Sequence, residues 1–175
     1  MLKNRLGLTQ QVDLTNFEAA SLTQRSEEPL PGGRLSRTHY FVVHRHLFQD
    51  VYDWAGNPRS VRTGKDGRWF CFPEHIHGEL ARVFGWLRDR EFLRDLTPEE
   101  FAAQGAYFLA ELNAVHAFRD GNGRAQSAFF ALVAARAGHP IDFDRLAPDA
   151  FLKAMVHSFD VDTSLLEAQI LDLIA

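Results

Sequence analysis

Between Thr97 and Pro140 the sequence carries two apolar helical patterns back to back, joined by a short polar stretch. Thr97-Pro98-Glu99-Glu100 is a full helix start: Thr as the cap, Pro at the first helical position, Glu placed to close a capping box. Phe101, Tyr107, Phe108, Leu109, Leu112 and Val115 then recur at helical spacing, and the pattern delivers His116 at its C-terminal end. A second run follows: Ala125, Ala128, Phe129, Phe130, Leu132, Val133, Ala134 and Ala135. It reads as a buried helix to about Ala137, stopped by Gly138 with Pro140 beyond. The fold expected from this arrangement is an all-α bundle, with residues 97–138 forming a helix–loop–helix.

The linking stretch is His116-Ala117-Phe118-Arg119-Asp120-Gly121-Asn122-Gly123-Arg124. It opens a helix, where free backbone N–H groups and the positive end of the dipole favour an anion. Gly121, Asn122 and Gly123 let the backbone approach a ligand closely and form a phosphate nest. His116 is a neutral imidazole able to take a proton near physiological pH. Asp120 is a hard oxygen ligand of the kind Mg²⁺ uses beside phosphate oxygens and water. Arg124 can grip phosphate oxygens with two parallel hydrogen bonds. Phe118, an aromatic between polar neighbours, is expected to anchor the loop in the core. These parts suit phosphoryl or nucleotidyl transfer. A helix-capping loop would explain Asp120 and Asn122, but such a loop needs neither His116 nor Arg124.

The remaining chain supplies a frame. A helix is predicted from Phe17 to Glu28, with Thr15 or Asn16 as its cap, inside an N-terminal helical extension of residues 1–33. Pro29, Pro31, Gly32 and Gly33 break it. A second helix is predicted from Leu35, with Tyr40, Val43, Leu47 and Val51 on one face, ending in the turn Tyr52–Pro58. It carries His39, His44 and His46; residues two apart on a helix face different sides, so His44 and His46 make a poor metal pair. Residues 61–72 read as a hairpin flap: Arg62-Thr63 and Arg68-Trp69-Phe70 flank Gly64-Lys65-Asp66-Gly67, and Asp-Gly is a hairpin turn signal. A surface loop and a strand edge able to pair with a peptide are both consistent with that pattern. Pro73 opens an amphipathic helix through Ile76, Leu80, Val83, Phe84 and Leu87 to about Arg90, with His75 and His77 near its start. Asp149–His157 and Ser164–Ile174 read as two further helices.

Bulk properties narrow the classes. With 175 residues the chain is read as one domain. A net charge of −4 argues against a nucleic-acid binder working through a broad basic face. No stretch has the length of a transmembrane span, so no membrane partner is expected. Cys71 is the one cysteine, which excludes an intrachain disulfide and fits a reducing compartment. The sequence stops at Ala175 inside an apolar helical pattern, as a piece of a longer protein would.

The stretch His116–Arg124 resembles the signature of the Fic (filamentation induced by cAMP) family, His-x-Phe-x-(Asp/Glu)-Gly-Asn-Gly-Arg, with Ala117 where Pro is usual. Asn4–Gly7, Pro31–Gly33, His44–Gly56, Arg59 and Glu111–Asn113 are similar to further family segments. The resemblance implies a Fic-type helical bundle with a small β-hairpin flap. It also implies an AMP transferase that uses ATP with Mg²⁺, modifies a Tyr, Thr or Ser hydroxyl of a target protein and releases pyrophosphate. By position, His116 would deprotonate the hydroxyl and Asp120 would hold Mg²⁺. Gly121, Asn122, Gly123 and Arg124 would bind the phosphates. Residues 62–69 (Arg62, Thr63, Gly64, Lys65, Asp66, Gly67, Arg68 and Trp69) would form the flap that registers the target. The family's longer pattern has a second Arg where this chain has Ser127; that Arg contacts the γ-phosphate, so its absence leaves the donor open to UMP, phosphocholine or phosphate transfer, or to nucleotide binding without turnover. The family's inhibitory pattern, (Ser/Thr)-x-x-x-Glu-(Gly/Asn), is incomplete at Thr23–Glu28 and at Thr163–Ala168. Restraint by a separate small antitoxin-like protein, or none, is the resulting expectation. Such proteins act in the bacterial cytoplasm or are delivered into a host cell as effectors.

Overall fold

A computed structural model describes residues 1–65 and 67–174. Its described residues form seven α-helices: α1 (Gln11–Glu27), α2 (Arg37–Phe48), α3 (Ile76–Asp89), α4 (Pro98–Val115), α5 (Asn122–Ala137), α6 (Pro148–Asp160) and α7 (Ser164–Ile174). A two-stranded antiparallel hairpin, β1 (Gly64–Lys65) and β2 (Arg68–Trp69), pairs Gly64 with Trp69 and Lys65 with Arg68. The expected turn residue Asp66 lies outside the described residues. The all-α bundle with one small hairpin is what the sequence patterns led us to expect.

α4 is the hub, packing against α3, α5, α6 and α7, while α2 lies against α1, α3 and α5. Its start is the expected capping box: the Thr97 hydroxyl accepts from the Glu100 N–H, and the Glu100 carboxylate accepts from the Thr97 N–H. Phe101, Phe108, Leu109, Leu112 and Val115 are buried, and Tyr107 instead stacks on Trp86 at the surface. On α5, Phe129, Phe130, Val133 and Ala134 are buried, and Gly138 closes the helix in the left-handed conformation that glycine adopts without a Cβ clash. Ala135 faces solvent, because an unbroken apolar run must present some members to the outer side of a helix.

Several boundaries differ from the sequence reading. α1 begins at Gln11 rather than Phe17, and its first residue follows Gln10, which makes no side-chain cap. Thr15 is interior: its hydroxyl donates to the Gln11 carbonyl one turn earlier. α2 begins after Ser36, whose hydroxyl accepts from the His39 N–H, and ends at Phe48. Leu35 precedes it with φ of 50°, and Val51 lies beyond it although buried. Pro73 opens a 3₁₀ turn, Pro73–His75, ahead of α3. α6 runs from Pro148 to Asp160, three residues past the expected end.

Candidate active site

The motif stretch forms the loop between α4 and α5, and the core fixes it from below. Phe118 is fully buried between Tyr40, Phe41 and His44, with its ring stacked on the His44 imidazole at 3.7 Å. Asn122 is also buried; its Nδ2 donates to the Phe118 carbonyl and its Oδ1 accepts from the Phe118 N–H, both at 2.8 Å. The Asn122 side chain therefore braces the loop and does not face a ligand. His44 accepts from the Gly56 N–H at Nδ1, so its Nε2 carries the proton and donates to the Asp120 carbonyl at 3.0 Å. Both ring nitrogens are engaged by backbone. His39 and His46 likewise bond the Pro31 and Arg25 carbonyls, so each of the three histidines on α2 holds a turn or a neighbouring helix.

Gly121 takes φ of 74° as the residue before α5, and a Cβ there would sit 2.5 Å from the Phe48 ring. Its N–H donates to the Asp120 carboxylate at 2.6 Å. The open donors at the head of α5 are accordingly the N–H groups of Asn122, Gly123 and Arg124, which have no partner within the helix. A side chain at Gly123 would point into open space, so its absence leaves that helix end bare. This end faces a cavity of about 970 Å³. Its lining includes the polar motif residues His116, Arg119, Asp120, Gly123 and Arg124. Its lining also includes the apolar Leu109, Phe143, Leu146, Phe151, Met155 and Phe159, and such a mixed lining suits a ligand with a charged end and a flat apolar end.

His116 lies on the cavity wall with its ring stacked on Phe70, centroids 3.7 Å apart and planes 5° from parallel. Burial lowers its pKa to about 4, with Arg59 and Lys65 acting in the same direction. The imidazole is thus neutral at neutral pH. Its Nδ1 is buried and the Asn113 backbone is the hydrogen-bonding group that acts on the ring, which leaves Nε2 as the nitrogen that can serve the cavity. The Asp120 carboxylate is half exposed and belongs to the cavity lining, and its Oδ1 accepts from the Gly121 N–H. One carboxylate with free lone pairs fits Mg²⁺, which draws its remaining ligands from water and phosphate. Among the described residues there is no cluster of three or more metal-binding side chains.

Arg124 is not free. Its Nη1 lies 2.5 Å from Glu18 on α1, its Nη2 lies 3.6 Å from Asp120, and its guanidinium covers the Phe48 ring. Glu18 also accepts from the Tyr52 hydroxyl. Sequence reasoning did not find Glu18; it placed Tyr52 in a turn and Phe70 in the hairpin flank without a role at the site, and it named Arg59 only through the resemblance. The flap residues stand beside this site: Thr63, Gly64, Lys65 and Arg68 line the cavity, and Phe70 donates its N–H to the Thr63 carbonyl. Arg62 sits between the Trp69 and Phe72 rings on the outer face, and Gly67 holds the turn with φ of 79°. Arg68 reaches across to Asp160 at the end of α6 with two bonds of 2.6 and 2.5 Å. Ser127 lies on the cavity wall and brings no cation there.

Residues 34–134 match the family model described as the Fic/DOC family. A probable protein adenylyltransferase, y4lH of Sinorhizobium fredii, is 45% identical over 97% of this chain and 89% of its own length. The protein adenylyltransferase VbhT of Bartonella schoenbuchensis is 34% identical over 97% of this chain, which spans only 36% of that relative. Among solved structures, the N-terminal FIC domain of the effector Bep8 from a Bartonella species superposes with a TM-score of 0.89. It is 22% identical and covers 100% of this chain and 91% of its own. BepC of Bartonella tribocorum, solved with bound AMPPNP, gives a TM-score of 0.87 at 21% identity, over 99% of this chain and 91% of its own. The motif loop, the bundle that carries it and these likenesses together make the chain a member of the Fic/DOC family.

Proposed function

We propose that this chain is a protein adenylyltransferase that moves AMP from ATP to a Tyr, Thr or Ser hydroxyl of a target protein. The observation that carries the reading is the bare N-terminus of α5, set on one cavity with a neutral imidazole and an available carboxylate. The N–H groups of Asn122, Gly123 and Arg124 would take phosphate oxygens, and the Arg124 guanidinium, shared with Glu18, would add its charge beside them. His116 Nε2 would accept the proton of the target hydroxyl as its oxygen bonds to the α-phosphorus; the bond from that phosphorus to the bridging oxygen breaks, and pyrophosphate leaves. Asp120 would hold Mg²⁺, which when bound neutralises phosphate charge. The apolar lining of the cavity would receive the base. The hairpin would pair its edge with the target backbone and bring the hydroxyl to His116.

The adenylyltransferase names of two relatives at 45% and 34% identity support ATP as donor. Ser127 supports a second reading, in which the donor is another nucleotide or a phosphocholine carrier. Neither Glu27 nor Glu167, the glutamates of the two incomplete inhibitory patterns, lines the cavity, which is consistent with restraint by a separate small protein. Incubating the chain and its His116→Ala variant with a cell lysate and ATP labelled in the α-phosphate tests the reading. Label should enter protein with the first and not the second. Equal labelling by both would remove His116 from its role. Stronger labelling from a different donor in the same panel would replace ATP.

A further inference from the structure

Arg59 is 5% exposed, and among the described residues its side-chain hydrogen bonds go to main-chain carbonyls and not to a carboxylate. Its guanidinium is instead spent on four backbone carbonyls. Nε donates to His116 at 2.8 Å, Nη1 to Val61 at 2.8 Å, and Nη2 to Cys71 at 2.6 Å and Val115 at 3.2 Å. Its own N–H donates to the Ala117 carbonyl at 2.8 Å. A buried cation is costly unless every donor is met, and burial does lower the pKa of this arginine.

The position of those carbonyls gives the arrangement its meaning. Val115 ends α4 and His116 follows it with φ of 48° and ψ of 60°, a left-handed conformation that costs a residue with a Cβ about 1 kcal/mol and persists only where the surroundings impose it. Arg59 caps this helix end, where a cation also suits the negative end of the dipole. Val61 and Cys71 stand on either side of the flap, and Cys71 donates its N–H to Ala114 of α4 at 3.1 Å. Next to Cys71 is Phe70, the ring that stacks on His116. One side chain thus joins both roots of the hairpin to the backbone of the histidine.

We propose that Arg59 is a positioning residue that locks His116 and the flap into one unit, so that the proton acceptor and the target's backbone are set relative to each other. The proposal rests on the transferase reading above. It predicts that loss of Arg59 harms transfer while leaving nucleotide binding, which α5 supplies, intact.

Arg59→Met and Arg59→Lys test it in the full chain. The measurements are AMPPNP–Mg²⁺ binding by calorimetry, the rate of label transfer from ATP in lysate, amide exchange across Gly64–Trp69, and the NMR titration of the His116 ring. Arg59→Met should bind AMPPNP within about threefold of the parent, transfer about 100-fold more slowly and exchange flap amides about tenfold faster. The charged groups acting on His116 are Arg59 and, from the flap, Lys65, so removing Arg59 should raise the ring's titration by about half a pH unit. Arg59→Lys keeps the charge and loses the fork; its ring should titrate as in the parent while flap exchange still quickens and transfer still slows. Unchanged flap exchange in either variant, or AMPPNP binding lost in step with transfer, overturns the proposal. If Arg59→Met does not fold, Arg59→Lys decides on the same terms. If the parent itself labels nothing, the transferase reading fails, whereas the exchange and titration measurements still judge the role of Arg59.

Discussion

At the scale of the residue, the cation that closes the motif is shaped by an acid far away in sequence. Glu18 and Arg124 are separated by 106 positions, yet their charged atoms lie 2.5 Å apart. Glu18 is mostly buried, and its second oxygen takes the Tyr52 hydroxyl, whose pKa is raised first by burial and then by that carboxylate. Removing one partner of such a cluster strands the others, which costs about 1–3 kcal/mol. Glu18→Ala should therefore lower the melting temperature by about 2–12 °C, read by calorimetry, and Glu18→Gln, which still accepts from Tyr52, should lower it less. Equal melting of all three proteins would mean that the cluster contributes nothing to folding. Asn122 makes a sharper case. Among the described residues its amide is the side-chain partner of both the Phe118 N–H and the Phe118 carbonyl, deep in the core. Asn122→Ala leaves both unpaired, with an expected loss of about 2–4 kcal/mol in urea unfolding. A loss under about 1 kcal/mol would show that the loop is held by Phe118 packing alone.

At the scale of the element, the hairpin is two residues per strand and cannot stand by itself. It is tied at its roots through Arg59 and at its tip through Arg68 to Asp160. Asp160→Asn should therefore speed amide exchange at Gly64–Trp69 several-fold while leaving α4 and α5 unchanged, and high salt should mimic it. Exchange indifferent to both would show that the Arg68–Asp160 pair does not restrain the flap. These ties mark where the sequence could be read and where it could not. The α4 start and the α5 stop were legible because Thr97, Pro98, Glu100 and Gly138 each act within one turn of the chain. The hairpin was legible from its Asp-Gly signal and the motif from its own spacing. The start of α1 was hidden because Gln10 offers no capping bond, so Thr15 and Asn16 looked like better caps than they are. Glu18, Arg59 and Phe70 were invisible as site residues because their partners come from distant segments, and no local period encodes those meetings.

At the scale of the whole molecule, burying the motif loop makes folding depend on pH. His44 and His116 are both held neutral, each pushed down to about 4 with burial as the largest cause. In the unfolded chain each titrates near about 6.5. Between those values the unfolded chain binds protons that the folded chain refuses, so stability rises with pH across this window and is lost as pH falls through it. The loss from pH 7 to pH 5 is about 2 kcal/mol for each ring. Urea unfolding at the two pH values should show a drop of about 4 kcal/mol in the parent and about half of that in His116→Asn, which removes one of the two rings. An undiminished drop in the variant would place the pH dependence elsewhere and deny that His116 is buried neutral. The same neutrality bears on transfer, because a base that gains its proton only near pH 4 is ready at every pH at which the fold survives. The rate of label transfer should then stay level from pH 8 down to about pH 6 and fall below about pH 5 together with the folded fraction. A decline centred near pH 6.5 in a protein still fully folded would mean that His116 meets solvent before it meets its substrate.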